Sequence, residues 1–210
     1  MKLVSLMSSG IDSPVATYLV AQQGADVVLI HGELTPFSDE QETKKFLAIV
    51  QQLKQHLHKK TMKIYLVPHG HALERYKQKG KPRFTCVFCK RMMVRYAEAI
   101  AQKENAQALV MGDSLGQVAS QTLQNIKVVE DAVSLPILRP LLGLDKNDVV
   151  RIAKEIGTYD LSIAPSVSCQ AVPHKPATKA TRDQLKTEEK NMDISALTHT
   201  AMATAKIITL

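Results

Sequence analysis

The chain is poor in cysteine, has no internal repeat or low-complexity segment, and contains no long apolar run. Three cysteines in 210 residues, Cys86, Cys89 and Cys169, are too few for a disulfide scaffold, and their odd number argues against simple pairing. No stretch approaches the about 18 consecutive apolar residues of a membrane span. The opening MKLVSLMSSG turns polar too early for a signal peptide, so the expected compartment is the cytoplasm, with no membrane contact. Neither GxxxxGK(S/T) nor GxGxxG occurs, which speaks against a Walker-type NTPase and a dinucleotide fold. Acidic residues are missing between Arg75 and Arg95, where eight basic ones gather, and the whole chain carries a net charge of +7. Such a stretch is either a solvated cationic face or a contact for a polyanion, and charge alone does not choose between them.

What is present reads as a folded α/β chain, with 45% apolar residues and enough length for one domain with a proper core. KLVSLM and ADVVLIHG are short apolar runs flanking the helical pattern SPVATYLVAQQG, with Ser13 as expected cap, Pro14 in the first turn and Gly24 as stop. DEQETKKFLAIVQQLKQHLHKK is a second helix, with Phe46, Leu47, Ile49, Val50, Leu53 and Leu57 on one side, and MKIYLVP a third strand. CKRMMVRYAEAIAQKEN and GQVASQTLQNI read as helices around the strand AQALVMG. LPILRPL is a last strand and DKNDVVRIAKEIG a helix capped by Asp145. Alternating strands and helices predict right-handed crossovers and a parallel sheet covered on both faces. From about Thr178 the sequence reads as a polar linker, a helix over about 194–205 and a short final strand or extended end.

The loop SSGIDS follows the first strand, where open parallel sheets place their ligands. Gly10 permits inward-turned amides, Ser8 and Ser13 add hydroxyls, and the helix behind contributes its positive end, all suited to phosphate. Asp12 beside phosphate makes sense with a Mg²⁺ bound mainly through phosphate oxygens. A capped helix start with no ligand is the plainer reading of the same residues.

SSGIDSPVA resembles the PP-loop, SGGxDS, of ATP pyrophosphatases, with Ser9 in place of the first glycine. The stretches CVFCKRMM, GDSLGQVASQT, LRPLLGLDK, IGTYDLSI and SCQAVPHKPATK extend the resemblance to the tRNA 4-thiouridine sulfurtransferases, which also serve thiamine thiazole synthesis. The resemblance implies a Rossmann-like parallel five-stranded sheet with helices on both faces, residues 1–179 forming the PP-loop domain and 180–210 a helical appendage of it. It implies that ATP adenylates a tRNA uridine and that sulfur then displaces AMP. Ser8, Ser9, Gly10, Asp12 and Ser13 would cradle phosphate, Gly112, Asp113, Gln117 and Ser120 would lie near nucleotide or uridine, and Arg139 and Lys146 are candidate phosphate contacts. Lys81, Arg83, Lys90 and Arg91 of the basic stretch are candidate tRNA contacts, and Asp12 and Cys169 the candidate catalytic residues. Family members carry THUMP and rhodanese domains. The present chain reads as a short form without them, expected to draw on a separate sulfur donor and RNA-binding protein, with a homodimer left open.

For the cysteines, the resemblance to members carrying CxxC plus a distant third cysteine implies a 4Fe–4S cluster on Cys86, Cys89 and Cys169. A redox disulfide or persulfide, a zinc site recruiting His174, and three inert thiols stay open beside it. His69 and His71 receive no role. Two further functions compete with tRNA thiolation: ATP pyrophosphatase chemistry on a small molecule or sulfur-carrier protein, and a nucleotide-binding module without turnover, for which Ser9 is the main argument.

Overall fold

The structure is a computed structural model that describes residues 1–167 and 169–210; Ser168, at the head of the SCQAVPHKPATK stretch, lies outside them. In chain order the elements are β1 (Lys2–Leu6), α1 (Asp12–Gln22), β2 (Asp26–Glu33), α2 (Glu40–His56), β3 (Lys63–Pro68), α3 (Gly70–Lys79), α4 (Thr85–Glu104), β4 (Ala108–Met111), α5 (Leu123–Glu130), β5 (Ile137–Leu138), α6 (Lys146–Glu155), α7 (Tyr159–Ile163), α8 (Arg182–Lys190), α9 (Ile194–Ala203) and β6 (Lys206–Thr209).

The strands order β5-β4-β1-β2-β3-β6. The first five are parallel, while β6 runs antiparallel to β3, pairing Ile64 with Ile208 and Tyr65 with Ile207. The sheet therefore has six strands rather than the five expected, because the extended C-terminal end finds the free edge of β3 and closes it.

Side chains alternate across the sheet and build a core on each face. Val4, Val28, Ile30, Tyr65 and Val67 meet α3, α4, α5, α8 and α9 on one face. Leu3, Val27, Leu29, Ile64 and Val110 meet α1, α2 and α6 on the other. The chain leaves β1 toward β2 on one side and returns to β4 on the other, so a crevice opens at the carboxyl ends of β1 and β4.

Three helices were not expected. α3 follows β3 directly, α7 is a short turn after α6, and α8 occupies the presumed linker with a capping box between Thr181 and Gln184. Conversely, GQVAS is not helical: it forms a turn and a one-turn 3-10 helix (Ala119–Gln121) ahead of α5. No helix among the described residues is long and apolar enough to cross a membrane.

Candidate active site

The β1–α1 loop is braced from within. Met7 N donates to Ile30 O at 2.9 Å, which continues the β1–β2 ladder to the loop's first residue. Ser13 is not the helix cap: α1 begins one residue earlier, its N-cap Ile11 has no capping side chain, and the Ser13 hydroxyl turns back to accept from Ser8 N at 2.8 Å. Ser8 Oγ lies 3.1 Å from that same hydroxyl and accepts from Gly10 N at 3.3 Å. Ser9 points away from the loop and donates to both carboxylate oxygens of Glu42 in α2, at 2.7 Å each.

Gly112 explains how β4 comes close enough to complete the crevice. A Cβ at this position would stand 2.6 Å from Ser13 Cα and 2.7 Å from Ser13 N, against backbone that has no room to yield. Next to it, buried Asp113 accepts from Lys90 at 2.6 Å and from Arg139 at 3.3 Å, and Arg139 also reaches Glu130. Across the crevice Lys146 Nζ pairs with Asp12 at 2.5 Å.

The result is a cavity of about 330 Å³ whose walls include Ser8, Gly10, Asp12, Ser13, Gly112, Asp113, Cys89 and Lys90. Gln117 and Ser120 do not line it; Gln117 is exposed in the loop beyond Asp113. Arg139 stands behind Asp113, and Lys146 acts through Asp12. Sequence reasoning missed His31, Glu42 and Gln121, all on the wall, and gave no role to His69, which lies there too. Of these, Gln121 lies in the quoted GQVASQT, four residues beyond the glutamine chosen. The buried side-chain polar atoms without a partner among the described residues are His31 Nε2, Ser114 Oγ, Gln121 Oε1 and Arg139 Nη2. His31 and Gln121 belong to the wall itself, Ser114 follows Asp113 and Arg139 bonds it, so unspent hydrogen-bonding capacity is concentrated here.

A second cavity of about 250 Å³ lies on the other side of the loop, lined by Ser8, Ser9, Gly10, Glu42 and Cys169 among others. Cys89 and Cys169 share a small apolar cluster with Phe37, Leu73 and Ala171. All three thiols are free. Burial pushes the Cys89 thiol up to about 12, helped by Cys169 and Cys86 and opposed by Lys90; burial raises Cys86 as well. Cys89 Sγ lies 3.2 Å from Nε2 of His69, whose pKa burial lowers to about 4. Among the described residues no three His, Cys, Asp or Glu side chains stand together as a metal-binding group. The three thiols nevertheless lie near one another, Cys169 helping to raise both Cys86 and Cys89. The carboxylates beside the loop, Asp12 at the start of α1 and Glu42 in α2, are engaged by Lys146 and Ser9.

The basic stretch divides. Lys81 and Arg83 are exposed, as are Arg75, Lys77 and Lys79. Arg91 is not available to a substrate: it is 2% exposed, bonded to both oxygens of Glu189 and to Val128 O. Position in the basic run signalled a surface, but Arg91 falls on the inner face of α4.

The sequence profile described as "Thiamine biosynthesis protein (ThiI)" matches residues 1–194. The chain belongs to the ThiI family. Among relatives, the probable tRNA sulfurtransferase of Methanothermobacter thermautotrophicus is 44% identical over 177 residues, covering 84% of this chain and 46% of that protein. The probable tRNA sulfurtransferase of Methanosarcina mazei is 37% identical over the whole chain and 52% of its own length. The chain thus spans about half the length of the curated ThiI-family relatives it matches. A crystal structure of a 4-thiouridine synthetase–RNA complex with bound ATP superposes with a TM-score of 0.95 at 33% identity, covering all of this chain and 55% of that one. NMN synthetase from Francisella tularensis shares the fold, with a TM-score of 0.58 at 17% identity over 95% of this chain and 81% of its own.

Proposed function

We propose that this chain uses ATP to adenylate a uridine carbonyl oxygen of tRNA and then replaces that oxygen with sulfur, giving 4-thiouridine. The observation that carries the reading is the pair of cavities sharing the Ser8–Gly10 loop, with Lys90 and Cys89 in one and Cys169 in the other. Family membership and the ATP-bound, RNA-bound structural relative support it.

In this reading the amides of Ser8 to Asp12 and the positive end of α1 hold the phosphates, with Lys90 and the unpartnered Gln121 and His31 turned to the nucleotide. A Mg²⁺ held chiefly by the phosphates would neutralise charge at the reacting phosphorus, with Asp12 the nearest carboxylate on the loop. The uridine O4 attacks the α-phosphorus, pyrophosphate leaves, and a poor leaving group becomes a good one.

Sulfur arrives at Cys169. Its thiolate attacks the outer sulfur of a persulfide donor, which departs as a thiolate. The terminal sulfur then attacks C4, the C–O bond breaks and AMP leaves. A thiol of Cys86 or Cys89 attacks the Cys169 sulfur, frees 4-thiouridine and leaves a disulfide that a dithiol reductant resets. The exposed Lys77, Lys79, Lys81 and Arg83 supply the RNA-facing charge, and a persulfide on Cys169 is also the form in which sulfur could pass to thiazole synthesis. Residues 180–210 belong to the same folding unit, since α8 packs on α4 and β6 extends the sheet.

The test is anaerobic incubation with ATP, Mg²⁺, a persulfide donor and unmodified tRNA. AMP and 4-thiouridine appearing together support the reading. Pyrophosphate release that ignores tRNA but follows a small molecule or carrier protein points to another acceptor, and ATP binding without AMP to a module without turnover.

A further inference from the structure

Glu42 has no part in the chemistry above, yet its side chain lines both cavities and receives the hydroxyl of Ser9, the residue that replaces the first PP-loop glycine. Ser9 is 7% exposed and its hydroxyl is directed to α2, so it adds no donor to the inner face of the loop as it stands. A carboxylate beside amides that hold phosphate opposes the ligand's charge, and a hydroxyl bonded to both its oxygens restrains it and disperses that charge. The same helix carries Lys45, whose Nζ donates to Ala164 O at 2.8 Å and reaches Ser166 Oγ at 3.4 Å, in the segment leading to Cys169. The first turns of α2 therefore grip the loop with one side chain and the cysteine segment with another.

We propose that Ser9 is a positioning residue for the nucleotide, acting through Glu42: its hydroxyl holds the carboxylate in the wall between the cavities and disperses a charge that would otherwise oppose the phosphates. The serine is then a tether that makes a nearby acid tolerable rather than a phosphate donor. This rests on the reading that the larger cavity holds ATP.

The experiment is a double-mutant cycle on the full chain, reading equilibrium binding of a non-hydrolysable ATP analogue with Mg²⁺, with melting temperatures taken without nucleotide. Ser9→Ala frees the carboxylate and should weaken binding about tenfold, the size of one hydrogen bond to a charged group. Glu42→Gln still offers Ser9 a carbonyl acceptor and should stay within about twofold of the parent. The decisive member is Ser9→Ala with Glu42→Gln, which should recover to within about twofold, since no stranded charge remains. A double variant as weak as Ser9→Ala alone would make Ser9 a direct phosphate ligand and overturn the proposal, as would a Ser9→Ala that binds like the parent. Failure of the parent chain to bind the analogue would overturn the nucleotide reading and this proposal with it, whereas binding by the parent with a flat cycle would overturn the positioning role alone.

Discussion

Cys169 and Gly112 separate the two halves of the chemistry at the level of single residues. Cys169 lines the smaller cavity and no part of the larger one, so Cys169→Ser should abolish thiolation and AMP release while tRNA-dependent pyrophosphate release persists near the parental rate in a single turnover; assays of all three products check this. Gly112 acts through shape. Gly112→Ala drives a methyl into the Ser13 backbone at 2.6 Å and should cost about 1–3 kcal/mol, with KM for ATP raised, measured by urea unfolding and steady-state kinetics. Ser8, Gly10, Asp12, Ser13, Gly112, Asp113 and Lys90 could be picked out from the sequence because they sit in or next to short motifs. His31 and Glu42 could not, because they reach the crevice from β2 and α2 through contacts that no local pattern encodes, whereas Gln121 lay in the quoted GQVASQT and Gln117 was chosen in its place.

Among the elements, α8 shows why hydrophobic periodicity fails for some helices. Its sequence, RDQLKTEEK, has one core leucine, and much of its inner face is carboxylate: Glu189 bonds Arg91 and Arg95 of α4, and Glu188 accepts from Lys81 N and pairs with its Nζ. The partners lie more than 90 residues away, so the pattern looks like a solvated linker until the chain is folded. Burial works against the charged Glu189, but hydrogen bonds from Arg91 and Arg95 outweigh it and hold its carboxyl below the ordinary range. Glu189→Ala strands a buried guanidinium and should lower stability by about 3–5 kcal/mol, read by chemical denaturation. Strands and amphipathic helices such as α2, whose inner faces are apolar, were readable in advance. The GQVAS segment was not, since Val118 within it and Leu115 and Leu123 on either side are exposed rather than inward-facing.

At the scale of the whole molecule, the acid response follows from groups whose protonation folding opposes. Burial lowers the His31 pKa despite the Met7 carbonyl and the nearby Glu42 and Glu33. Glu104, bonded by Lys2, Lys63 and Tyr65 against the cost of its burial, falls to about 2, and Glu98 and Glu189 also lie low. In each case the unfolded chain takes the proton first, so the contribution of these groups is retained above about pH 6.5, begins to fall below it through His31, and falls further below about pH 4.3 toward 2 through the carboxylates. Calorimetric melting across pH 2–8 should trace that descent, and a stability that rises on acidification below pH 6 would contradict it. The parallel order of β1 to β5 was expected from the alternation of elements, and a short final strand or extended end was read at the C-terminus, but its place in the sheet was not, because an edge strand added antiparallel is specified by the partner it finds rather than by its own sequence.

The most direct test of the adenylation account is the fate of the uridine oxygen. tRNA carrying ¹⁸O at C4 of the target uridine, incubated anaerobically with the chain, ATP, Mg²⁺ and persulfide donor, should deliver the label into the phosphate of AMP, one atom per 4-thiouridine formed. AMP that forms without label, or 4-thiouridine that forms with the label in water, would contradict it.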